Sequence, residues 1–116
     1  MPNTYQNLIQ IGISKDFTMG YSKIYGFRAG TSKPFYWYNL VLEKETELML
    51  IPFCTMDVVH KQFLNQNIEQ TISISEKLKQ NLKSINGYFC FVFHNESLSE
   101  HRGWQGWKKV FEQWLK

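Results

Sequence analysis

The fold is decided by residues 67–94, NIEQTISISEKLKQNLKSINGYFCFVFH. Asn67 suits the cap of a helix, and Gln70, three residues on, completes a capping box, so the stretch predicts a helix from about Ile68 to Ile85. Ile74, Leu78, Leu82 and Ile85 recur at spacings of four, four and three, which makes one apolar stripe. Asn86-Gly87 ends the helix, with Gly87 suited to the left-handed position beyond the last turn. Tyr88 to Phe93 then runs apolar without alternation, the pattern of a strand buried on both faces in a parallel sheet under helices.

Working outward, Gly103 to Gly106 reads as a loop. Trp107 to Leu115 reads as a final helix with Val110, Phe111, Trp114 and Leu115 inward. Upstream, Leu48 to Cys54 reads as a buried strand whose Pro52 belongs at an edge or a bulge, because proline cannot donate to a ladder. Thr4 to Gln10 has apolar residues at near-helical spacing. Ile11 to Ser14 and Tyr25 to Arg28 are further strand candidates, Thr31 to Pro34 is a loop, and Glu43 to Glu47 is a charged turn. Strand, helix, strand, helix in that order gives an α/β class with mostly parallel strands and flanking helices, in a single domain over residues 1–116.

Composition narrows the function. The chain has 116 residues, of which 43% are hydrophobic, enough for a packed core. Its formal net charge is +3, with basic residues scattered among acids. A nucleic-acid binder gathers positive charge on one face. Here Arg102, Lys108, Lys109 and Lys116 merely decorate the terminal helix, so no nucleic-acid partner is expected. No apolar stretch is long enough to cross a membrane, and MPNTYQNLIQ lacks a basic leader followed by an apolar run. No membrane partner and a cytoplasmic location are therefore expected. Cys54 and Cys90 each lie in an apolar run and read as free buried thiols rather than a bridge.

In parallel α/β folds the reactive side chains stand at the carboxyl ends of strands. Arg28, Asp57 and His94 meet that condition. Imidazole is the side chain suited to acid and base work near neutral pH, and His94 follows the apolar run directly. A histidine in that place also serves simply to hold a nearby carbonyl. Arg28, among small neighbours in GFRAG, can grip a carboxylate bidentately in a catalytic or a purely structural pair. Asp57 either orients His94 or caps the next segment, and Asp16 competes for the orienting role.

Aromatic residues make up 16% of the chain, including four tryptophans, and such rings fill cores or stack on sugars. In an extended Phe35 to Tyr38 the side chains alternate between faces, so Tyr36 or Trp37 could offer a flat platform. Trp104, in a Gly-flanked loop after His94, is a third candidate for substrate contact, whereas Trp114 reads as core. There is no Gly-rich phosphate loop and no nucleophile elbow. His60, His94 and His101 show no metal-ligand spacing, so this chain alone is not expected to bind zinc.

DFTMGY at Asp16 to Tyr21, GFRAG at Gly26 to Gly30, KPFYWYNL at Lys33 to Leu40, IPFCTMD at Ile51 to Asp57 and FHNESLSEHRGWQGWKKVFE at Phe93 to Glu112 come in order along nearly the whole chain. Taken as an ordered set, they resemble the C-terminal half of a NodB-homology polysaccharide deacetylase. The resemblance implies a distorted α/β barrel that removes acetyl groups from sugar polymers, with an acetylated polysaccharide as partner. It also implies a divalent metal, often zinc, held by one Asp and two His, with an Asp as base and a late His as acid. The family's FDD-like and HxxxH-like motifs, which hold the metal and the base, do not occur in this chain. What it matches is the later set, in which Arg28 would orient the base, Asp57 would support the acid, and His94 would be the acid.

Two departures stand out. Arg28 is followed by Ala29 and Gly30 rather than by the usual x-Pro. His94 is followed by Asn95 rather than Asp, so no charge comes to the imidazole from that position. Half a closed barrel exposes strand edges, so weak stability, self-association or a need for the missing half is expected. The competing function is a non-catalytic remnant or sugar-binding module that uses Trp37 and Trp104 without hydrolysis.

Overall fold

A computed structural model describes residues 2–116. Its backbone is organised around one extended trace, Lys44 to Met56. The amides of Met49, Ile51 and Phe53 donate to Ser14, Asp16 and Met19 on one side, at 2.9, 2.8 and 3.0 Å. On the other side Leu50 pairs with Phe35, whereas the Cys54 amide donates to Cys90 at 2.8 Å. Position 52 faces that second side, between the two partners. Its proline has no amide to leave unpaired, which is where a strand can change neighbours at no hydrogen-bond cost.

Two small sheets result. The first contains β1 (Lys15–Asp16), β2 (Phe35–Asn39) and β3 (Lys44–Leu50) in the order β1-β3-β2, with β1 parallel and β2 antiparallel to β3. The second pairs β4 (Thr55–Met56) with β5 (Phe91–Val92) in parallel. Helices α1 (Pro2–Gln10), α2 (Ile68–Ser84) and α3 (Lys108–Trp114) flank them, and a π-helical segment, Val59–Phe63, follows β4. The class is mixed α/β with a small, partly parallel sheet, and no closed barrel is formed by the described residues.

Several expectations shift in register. Ile11 to Ser14 is a turn and loop, with β1 beginning only at Lys15, and Tyr25 to Arg28 is not a strand. There the Gly26 amide donates to Cys54, and the backbone turns from Phe27 to Gly30. Glu43 to Glu47 is not a turn either, because Lys44 already belongs to β3. The reversal lies at residues 40–43, where the Asn39 side chain accepts the Val41 and Leu42 amides at 3.0 and 3.1 Å. Leu48 to Cys54 is regular only to Leu50, and Tyr88 to Phe93 only at Phe91–Val92, with Tyr88 exposed.

Helix α2 carries the expected capping box, in which Asn67 and Gln70 bond each other's backbone amides at 2.8 and 2.9 Å. Its packed face differs from the expected stripe. Leu82 is buried as expected, but Ile85 is 61% exposed, and Thr71 and Ser75 are buried in its place. The cause is Trp114 of α3, whose indole N–H donates to Ser75 at 2.8 Å. A buried indole needs an acceptor, so the helix presents its hydroxyl to the tryptophan and turns Ile74 and Ile85 aside. Around this bond Trp104, Trp107, Val110 and Trp114 form one core, against which Ile68, Ile72, Phe91 and Phe93 pack. Leu115, expected inward, is 64% exposed. A second core of Tyr5, Leu48 and Leu50 joins α1 to the first sheet.

Candidate functional site

Parallel pairing brings two strand exits together. Met56 lies opposite Val92, so the residues that follow, Asp57 and Phe93–His94, leave the sheet on the same side. Asp57 is fully buried. Its Oδ1 accepts the His94 ring Nδ1 at 2.6 Å and the Val58 amide at 2.8 Å. Its Oδ2 accepts the His94 amide at 2.8 Å and also the Ser97 hydroxyl. Four donors fix the carboxylate, and two of them come from one histidine.

The segment after β5 is shaped to make this possible. Residues Asn95–Leu98 form one 3-10 turn, closed by the Ser97 amide donating to the His94 carbonyl at 3.0 Å. That turn carries the Ser97 hydroxyl back to the same oxygen the His94 amide uses. A carboxylate only accepts, so the proton of the short His94–Asp57 bond resides on Nδ1. The imidazole side chain is 48% exposed, and its Nε2 makes no hydrogen bond to any described residue. The arrangement is a half-exposed imidazole with one nitrogen anchored inside and the other turned toward solvent. Such a group can exchange a proton with a ligand at Nε2 while the buried negative charge balances an imidazolium.

Asp57, not Asp16, therefore holds His94. Asp16 is engaged locally, its Oδ1 accepting the Thr18 amide and hydroxyl at 3.0 and 2.6 Å. Arg28 is exposed and makes no ion pair or hydrogen bond with Asp57 or His94. Its charge is felt instead at Tyr5, whose hydroxyl is pushed up in pKa by burial and by Asp16, with Arg28 opposing them. The loop of Arg28 still reaches the strand that ends at Asp57, through the Gly26 amide on Cys54 at 2.7 Å.

The aromatic candidates separate. Tyr36 is 45% exposed on the outer face of β2, with Tyr38 beside it on that face. Trp37 points to the opposite face, where it is half-buried, packs edge-on against Tyr5 at 5.3 Å and lines a shallow cavity with Gln6 and Asn39. Trp104 is only 4% exposed. The Lys61 ammonium sits 4.8 Å from its ring centre and Trp107 meets it at 5.4 Å, which closes the ring to a sugar. Its flanking glycines suggested an open loop, but the indole folds into the core because burial of so large a ring outweighs loop exposure.

Ser97 joins the site without any signal in the sequence. A serine three residues after a histidine has no spacing signature, and only the 3-10 turn reveals its target.

The donor set does not suit a divalent metal. Among the described residues, no three His, Cys, Asp or Glu side chains gather as ligands. His60 uses both ring nitrogens, on Thr55 and Gln66, and the inner nitrogen of His94 is taken by Asp57. Burial pushes the Cys54 thiol up to about 12, and its S–H donates to the Cys90 carbonyl at 3.3 Å. Cys54 and Cys90 are both free thiols. Among the described residues, no helix is long and apolar enough to cross a membrane. No family model, curated protein or solved structure matches the chain.

Proposed function

We propose that this chain is part of a metal-dependent carbohydrate deacetylase and supplies the proton-donating half of its site. The observation that carries the proposal is the Asp57–His94 pair, with Nδ1 held at 2.6 Å and the ring half exposed. In amide hydrolysis the C–N bond breaks only if the leaving nitrogen gains a proton. His94 Nε2 gives that proton, and the Asp57 carboxylate balances the imidazolium beforehand. For an O-acetyl group the proton goes to the leaving alkoxide oxygen.

The metal and the base would come from groups outside this chain. In the same proposal the two sheets are a sector of a distorted β/α barrel, a view supported by the two parallel pairings. Arg28 then serves the base from its exposed turn. Of the three aromatic candidates Tyr36, Trp37 and Trp104, Tyr36 is the most exposed and so the most open to a sugar ring.

The test joins this chain to a metal-holding segment and measures acetate release from an N-acetylated oligosaccharide. His94→Ala should lower the rate about 10²-fold or more, the usual contribution of a positioned acid. Unchanged release would remove His94 from the mechanism. A second reading, a non-catalytic sugar-binding module, is favoured only by the exposed pair Tyr36 and Tyr38. Oligosaccharide binding lost in Tyr36→Ala, with no acetate released by any assembly, would select it.

A further inference from the structure

We infer that His60 is a positioning residue for the Asp57–His94 pair, a role that rests on the proton-donor reading above. His60 is 1% exposed, and its two ring nitrogens are satisfied by two different segments. The Gln66 amide oxygen, 2.7 Å from Nδ1, only accepts, so the ring proton sits on Nδ1. Nε2 is then left to accept the Thr55 hydroxyl, also at 2.7 Å. Thr55 and His60 stand on either side of Asp57 in the chain. Their bond closes a ring of backbone over residues 55–60, of which Asp57 is a member. The far end is pinned as well, because the Gln66 amide donates to the His60 carbonyl at 2.8 Å.

The same imidazole reaches the other parts of the site. Tyr25 stacks on it, with ring centroids 5.6 Å apart and planes 16° off parallel. Tyr25 belongs to the loop that carries Arg28 and is tied to Cys54 through Gly26. The edge of Trp114 approaches the ring at 5.7 Å. One side chain thus joins the β4 exit, the Arg28 loop and helix α3. A leucine would fill the same space but would leave the turn free to shift, and with it the Asp57 oxygens on which His94 depends. π-helical segments often mark functional sites, and His60 is one of the two buried residues of the π-helical segment Val59–Phe63.

The test uses the whole chain and reads the exchange of the His94 Nδ1 proton with water by NMR. His60→Phe keeps an aromatic ring against Tyr25 but loses both hydrogen bonds. Thr55→Val removes only the hydroxyl, and Thr55→Ser restores it. We expect His60→Phe and Thr55→Val to melt cooperatively yet exchange that proton at least about tenfold faster, with Thr55→Ser like the parent. Should His60→Phe not fold, the Thr55 pair carries the comparison. Unchanged exchange in Thr55→Val overturns the inference, and so does failure of Thr55→Val to fold, which would make the bond purely structural. The exchange needs no activity. Loss of the proton-donor reading, through unchanged acetate release in His94→Ala, would therefore be seen separately.

Discussion

Asp57 is a buried charge whose four donors are fixed by two strand exits and one 3-10 turn. Asp57→Ala strands those donors and should destabilise the chain by about 3 kcal/mol, measured by urea denaturation. Ser97→Ala removes one donor while the His94 amide still serves Oδ2, so about 1 kcal/mol is expected from the same measurement. His60 adds a dependence on pH. Burial, its largest influence, lowers its pKa from 6.5, with Gln66 and Asp57 opposing. Below that value the unfolded chain takes up a proton that the native ring refuses. Its share of stability is therefore intact above about pH 6.5 and is lost as the pH falls toward the lowered native pKa. Urea melts at about pH 7 and pH 5 should show a smaller loss in His60→Phe than in the parent, and equal losses would refute the assignment. At this scale Asp57 and His94 were legible because each stands at or just beyond the end of a candidate strand. Ser97 and His60 were not, since their roles arise from a turn and from partners chosen by folding.

Helix α2 was legible as an element because its signals are local. Its capping box forms as read, and Asn67→Ala should cost about 1 kcal/mol in a thermal melt. Its closing turn takes the left-handed conformation one residue before the glycine. The left-handed position is Asn86, at φ 53°, whereas Gly87 has an ordinary φ. The glycine is needed for space instead, since a Cβ there would lie 2.6 Å from Ser32 Oγ and 2.9 Å from Leu82 Cδ2. Asn86→Gly should leave the melting temperature unchanged or raise it, while Gly87→Ala should lower it. The packed face of α2 could not be read from its isoleucines. It is set by a tertiary demand, the Trp114 indole seeking Ser75, that no periodicity of α2 contains. The short strands escaped for a related reason. They are defined by which neighbour takes each amide, and only Pro52 hints at that choice in sequence.

At the scale of the molecule, the chain is more open than its length requires. A compact domain of this size has a radius of gyration of about 13 Å, whereas this one measures 16.0 Å. Its accessible surface is 7585 Å², against about 6600 Å² for a folded monomer of 13.8 kDa. The excess is partly apolar. Leu40 and Val41 at the β2–β3 reversal are 81% and 86% exposed, and Ile11, Ile13 and Phe17 flank β1 at the edge of its sheet. Unpaired edges and bare aliphatic groups favour association. Sedimentation should show a mass that rises with concentration and falls toward the monomer in a Leu40→Lys, Val41→Lys variant. A monodisperse monomer at every concentration would contradict this.

The position of the proton on the His94 ring bears on the whole proposal, because donation from Nε2 requires that Nδ1 be held by Asp57. Long-range nitrogen–proton NMR of the neutral ring reads this directly. We expect the Nδ1–H form in the parent chain and its loss in Asp57→Asn. An Nε2–H ring, or one that averages freely between the two forms with Asp57 intact, would contradict it.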